Sequence, residues 1–157
     1  MNMDLSFIFS DPLSYRLLVA AGLGALIGLE RELAGKDPSL RTFALISLGS
    51  CGFTILSELV SIGSTNADPG RIAAQIVPGI GFIGAGAIFR SQRGISGLTT
   101  AALMWVTAAI GMSAGYGRVQ LATTATVLAV LITFGLKLVH KFISLFRPDF
   151  YAKEVDQ

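Results

Sequence analysis

Two groups of residues in this chain could do chemistry, one of glycines and one of charges. The glycine group is Pro78-Gly79-Ile-Gly81-Phe-Ile-Gly84-Ala-Gly86, followed closely by Gly97-Leu-Thr99-Thr100-Ala-Ala102. A glycine costs a helix about 1 kcal/mol relative to alanine. Four of them inside an apolar stretch therefore serve close backbone approach, backbone bending, or both. Gly79-x-Gly81-x-x-Gly84 matches the dinucleotide fingerprint letter for letter, but that motif needs a preceding strand and an acidic residue downstream. Here Pro78 precedes it, the flanks are apolar and no acid stands at the required distance, so nucleotide binding is rejected. Two readings remain. In the preferred one the glycines make a flat helix face for packing, as Gly24-x-x-x-Gly28 can also do. In the other, Pro78 and the glycines interrupt the helix, so that freed carbonyls and amides line a polar cavity together with Thr99 and Thr100.

The charged group is Glu30-Arg31-Glu32, with Arg41, Arg90 and Arg93 expected on the same side. Carboxylates at a helix C-terminus oppose the helix dipole and call for cationic neighbours. The group is either a surface ring of weak pairs, about 0–1 kcal/mol each, or a buried carboxylate–arginine network fixing the cytoplasmic mouth of a bundle. On the opposite side Asp68-Pro69 reads as an N-cap with proline at the first helical position, and Arg71 follows it. Ser96, Thr99 and Thr100 read as a second cap. Arg16 and Glu58 are expected to snorkel to the interface, as are Lys137 and Lys141, with His140 an interfacial residue. Magnesium favours octahedral oxygen ligands, and the carboxylates here are split between two faces, so no metal site and no cofactor are expected. No Ser/His/Asp set, Cys/His pair or zinc spacing supports an enzyme, and no basic groove supports nucleic acid.

The elements that must position these residues are set by composition. Of the chain's residues 52% are hydrophobic and 14% charged, where soluble domains carry roughly 25% charged. Five stretches are nearly free of charge, and they predict an all-α polytopic membrane bundle with spans at about 13–29, 42–60, 72–89, 98–117 and 119–140. Each approaches the roughly 20 residues that cross a bilayer as a helix. They form one transmembrane domain, 1–146, with a short polar tail, 147–157. The first stretch lacks the basic flank of a cleaved signal peptide, and the lone Cys51 reads as a small core residue. Arg16, Arg71 and Arg118 fall on one side and the other 9 lysines and arginines on the other. The positive-inside rule then places the N-terminus outside and the C-terminus in the cytoplasm. Gly115-Tyr-Gly117 predicts a tight turn between antiparallel fourth and fifth helices, the fifth continuing to about Phe146.

Five blocks, in order, carry a resemblance: Gly28-Leu-Glu-Arg-Glu32, Leu40-Arg-Thr42, Asp68-Pro-Gly-Arg-Ile-Ala-Ala-Gln75, Gly79–Gly86, and Gly97–Ala102 with Trp105. Over residues 13–145 the chain resembles the MgtC/SapB family of bacterial inner-membrane proteins. That resemblance implies a multi-pass protein of the bacterial inner membrane, associated with growth at low magnesium and survival inside host cells. It also implies action on other membrane machines, notably the proton-translocating ATP synthase. Many members carry a soluble cytoplasmic domain after the fifth span, whereas this chain ends at Gln157. The function expected is a non-enzymatic regulator in contact with the lipid bilayer, at least a homodimer through its glycine faces. The alternative is a small channel or transporter with a cavity at the third span.

Overall fold

The computed structural model describes residues 11–38, 40–62, 68–91 and 94–146, with side chains to Gly135. It is helical apart from one short hairpin. The elements are α1 (Pro12–Leu33), α2 (Leu40–Ser61), a single 3-10 turn (Ala73–Gln75), α3 (Ile76–Gly86), β1 (Phe89–Ser91), β2 (Gly94–Ser96), α4 (Leu98–Gly115) and α5 (Val119–Phe146). Three of them, α1, α2 and α4, are long and apolar enough to cross a membrane. Ala73–Gly86 and the described part of α5, Val119–Gly135, are shorter apolar helices. Arg93 and the tail 147–157 lie outside the described residues, as do the side chains of Lys137, His140 and Lys141.

Local chemistry explains the boundaries. Asp11 caps α1, its carboxylate accepting from Ser14 N at 2.8 Å, with Pro12 in the first turn. The helix ends where Gly35 takes φ +64° and Lys36 N bonds back to Arg31 O at 3.0 Å, a Schellman closure of the last carbonyls. The end of α4 repeats it: Gly117 takes φ +70° and Arg118 N reaches Ser113 O at 2.8 Å. The expected tight turn is therefore present, and α4 packs against α5.

The third segment departs from the expected span. It divides into the 3-10 turn, the 11-residue α3 and the β1–β2 hairpin, in which Phe89 pairs with Ser96 and Arg90 with Ile95. Residues 73–86 rise about 21 Å at ~1.5 Å per residue, short of the ~30 Å hydrocarbon core. Pro78 falls in the first turn of α3, where its missing N–H has no helical partner to lose. The helix runs unbroken through the glycine run. Gly97, at φ +88°, begins α4 in place of the expected Ser96 cap, and Ser96 lies in β2. A Cβ at Gly97 would collide with Ala87 O, so a glycine there lets the hairpin close.

Helix α2 is the axis of the bundle. Its buried face is Phe43, Ser47, Ser50, Cys51, Thr54, Ile55 and Ser57, mostly small or hydroxylated residues. Helix α1 packs on one side of it and α4 on another. Small side chains on α2 admit close approach, and glycines on both neighbours exploit it.

Candidate functional site

The approach of α1 to α2 is closest at Gly24 and Gly28. A Cβ at Gly24 would lie 2.6 Å from Phe43 O and from Ser47 Cβ, and one at Gly28 would run into the Leu40 backbone. On α4 the same role falls to Gly111 and Gly115. A Cβ at Gly111 would strike Ser47 O, and one at Gly115 would lie 2.7 Å from Thr54 Cβ and 2.8 Å from Cys51 O. The packing expected at Gly24 and Gly28 is thus present. Its counterpart on α4 was missed, although Gly111-x-x-x-Gly115 has the same four-residue spacing.

Next to the Gly28 contact, in the last turn of α1, lies a buried ion pair. Arg31 Nε donates to Glu30 Oε2 at 2.5 Å and Nη2 donates to Oε1 at 2.7 Å, with the residues 4% and 8% exposed. A two-pronged guanidinium–carboxylate contact satisfies both charges where water is excluded. Neighbours along a helix do not face each other, so the long Arg31 side chain turns back to reach its partner. Of the wider set expected here, Glu32, Arg41 and Arg90 stand apart from this pair among the described residues, and Arg93 lies outside them. Glu32 is exposed and accepts only a long bond from Leu40 N, 3.4 Å. Arg41 and Arg90 are exposed and make no ion pair among the described residues.

The opposite end of the bundle is tied by a different set. Arg16 Nη1 donates to Glu58 Oε2 at 3.0 Å and to Gly115 O at 2.8 Å. It thereby joins α1 to α2 and neutralises the carbonyl end of α4. This corrects the expectation that both side chains merely snorkel. Ser57 Oγ donates to Pro69 O at 2.6 Å and accepts from Ile72 N and Ala73 N, each at 3.2 Å. Those are among the first free amides of the segment leading into α3, so Ser57 caps it from another helix. Tyr116 Oη also donates to Pro69 O, at 3.2 Å. Asp68 has a more local role than the expected helix cap. Its Oδ1 accepts from Gly70 N at 2.8 Å, and α3 starts only at Ile76. Arg71 is exposed in the intervening turn.

The glycine run of α3 packs little within the chain, whereas the expectation allowed packing on a second copy as well. Pro78, Gly79, Gly81 and Gly86 are exposed, and a Cβ at any of these three glycines would meet nothing within 4 Å. Only Gly84 packs, 3.6 Å from Ala101 Cβ. Thr99 is exposed, Thr100 is buried, and neither lines the recesses beside α3. Inside the bundle Thr54, Thr107 and Thr126 donate to carbonyls four residues back on their own helices, at 2.8, 2.7 and 2.9 Å. Ser47 Oγ alone among the described buried side-chain atoms has no hydrogen-bond partner, and it sits where α1 and α4 both meet α2. No group of three or more His, Cys, Asp or Glu residues converges among the described residues.

Comparison with known proteins agrees with the five sequence blocks. The profile of the MgtC family matches residues 17–142. "Putative magnesium transporter YhiD" of Escherichia coli (strain K12) is 47% identical over 122 residues, 74% of this chain and 57% of that protein. "Protein MgtC" of Brucella abortus (strain 2308) is 43% identical over 124 residues, 77% of this chain and 51% of the relative. "Protein MgtC" of Salmonella typhimurium is 46% identical over 117 residues, 74% and 49%. The chain spans about half the length of the curated relatives it matches. No solved structure matches it.

Proposed function

Because this chain belongs to the MgtC family, we propose that it is a non-enzymatic regulator of other membrane proteins, active when magnesium is scarce or a host cell imposes stress. It sits in the bacterial inner membrane as five membrane segments, N-terminus outside and C-terminus in the cytoplasm. The division of 3 against 9 basic residues favours that orientation. It acts through lateral contacts with machinery such as the proton-translocating ATP synthase, and with a second copy of itself.

The observation that carries this reading is the contrast between a sealed interior and an open flank. Glycines of α1 and α4 close directly on α2, and the interior threonines spend their hydroxyls on their own helices. Helix α3 meanwhile presents Val77, Gly81 and Phe82 outward, Phe82 being 84% exposed. An apolar face of that kind, with Gly81 admitting close backbone approach, accepts another helix.

The printed name of the Escherichia coli relative favours a second reading, magnesium transport. Proteoliposomes holding a magnesium indicator separate the two. The regulatory reading expects uptake equal to that of empty liposomes. A selective flux abolished by Gly81→Leu would carry the transport reading instead.

A further inference from the structure

An apolar recess lies between α2 and α3. Helix α3 leans on α4 through Gly84 and Ala101, and the segment preceding it meets α2 at the Ser57 cap, so α2 and α3 diverge beyond that cap. The gap holds about 610 Å³, walled by Leu45, Gly49 and Phe53 of α2 and by Ile76, Gly79 and Ile83 of α3. A second recess of about 470 Å³ continues it, sharing Thr42 and Ile83 and reaching Asp37, Gly86 and Phe89.

Size, length and charge together identify an occupant. From Thr42 to Phe53 the α2 wall rises about 16 Å, half of the ~30 Å hydrocarbon core and so the depth of one leaflet. A helix about 10 Å across would need roughly 1,200 Å³ over that length, more than the main recess and slightly more than both recesses together, whereas one hydrocarbon chain needs far less. Gly49 and Gly79 face open space from opposite walls, leaving the groove its width. Arg41 stands one helical turn below Leu45 on the same stripe of α2, exposed and without an ion pair among the described residues. At the same end Asp37, also exposed, lines the recess.

We infer that this groove holds one acyl chain of an aminophospholipid from the leaflet at the Asp37–Arg41 end. Arg41 meets the lipid phosphate, and Asp37 faces the head-group ammonium. The site is independent of the regulatory reading. It makes no use of the outward face of α3 that carries that proposal.

The test uses the full chain reconstituted with phosphatidylethanolamine and phosphatidylglycerol, then examined by native mass spectrometry. One phosphatidylethanolamine should remain on each chain. Gly49→Leu and Gly79→Leu, where an added Cβ meets nothing within 4 Å, put bulk into the groove and should each cut retention about tenfold, the loss expected for roughly two buried methylenes. Arg41→Gln should cut it about fivefold, and Gly81→Leu, outside the groove, should leave it unchanged. A phosphatidylethanolamine with a photoreactive group on its acyl chain should label α2 and α3 of the unaltered protein. Labelling spread evenly over all helices would overturn the proposal, as would equal retention by the groove-filling variants. So would a lipid-free dimer that Gly79→Leu dissociates.

Discussion

Two sets of helical glycines meet opposite fates in this molecule. Gly24, Gly28, Gly111 and Gly115 lie where an added Cβ would be driven into α2, while Gly79, Gly81 and Gly86 face open space. The difference lies in the partner. Helix α2 offers Ser47, Ser50, Cys51 and Thr54, side chains small enough to let two other backbones reach it at nearly the same level. Helix α3 has no such partner among the described residues: of its glycines only Gly84 touches α4, and Ile80 is its other buried residue. A glycine pattern therefore states a capacity for close approach, and the residues opposite decide whether it is used. The split also divides labour. The first set makes the fold, and the second leaves a flank and a groove available to something else.

The sharpest way to break this comparison is to put bulk at the crossing of α2 and α4. Gly111→Leu meets backbone at Ser47 that no rotamer change can relieve, so the loss should exceed the ~1–3 kcal/mol usual for overpacking. The protein should fail to yield a monodisperse peak in detergent chromatography. Next in size is Glu30→Ala. The close contact at Gly28 keeps water from the ion pair, so removing the carboxylate strands a buried guanidinium at a cost of about 3–5 kcal/mol. Thermal unfolding in detergent should show it, and Glu30→Leu combined with Arg31→Leu should recover most of the loss. Ser57→Ala deletes the cap on the way into α3 and should cost about 0.5–2 kcal/mol. Its signature is faster amide exchange at Ile72 and Ala73, with α1 and α4 unaffected. Smallest, and of opposite sign, is Ser47→Ala. The hydroxyl has no hydrogen-bond partner where the three helices meet, so its removal should raise stability by up to about 1 kcal/mol.

Much of this architecture was legible in the letters. The expected spans 13–29, 42–60, 98–117 and 119–140 fall within a few residues of α1, α2, α4 and the start of α5, and α5 is described as far as Phe146. Hydropathy and turn chemistry are local, and local signals set those boundaries. The third segment misled because Phe89, Ile95 and Leu98 count as apolar whether they lie in a span or in a hairpin. Only positive φ at Gly94 and Gly97 distinguishes the two, and residue type alone does not give φ. The Arg16–Glu58 pair and the Ser57 cap join residues 42 and 12–16 positions apart, and no periodicity predicts such pairs. Within the charged group, the sequence supplied the carboxylates and arginines and left ring and buried network open. Among the described residues the structure shows a buried fork between Glu30 and Arg31, which lie on the buried side of the last α1 turn.

The central claim is that glycines of α1 and α4, and not the more conspicuous run of α3, hold this bundle together. Unfolding midpoints measured in one detergent for leucine substitutions at Gly24, Gly28, Gly79, Gly81 and Gly86 address it directly. Collapse at the first two, with the other three holding near the parent midpoint, is the predicted result. Equal or greater losses at the α3 positions would contradict the account.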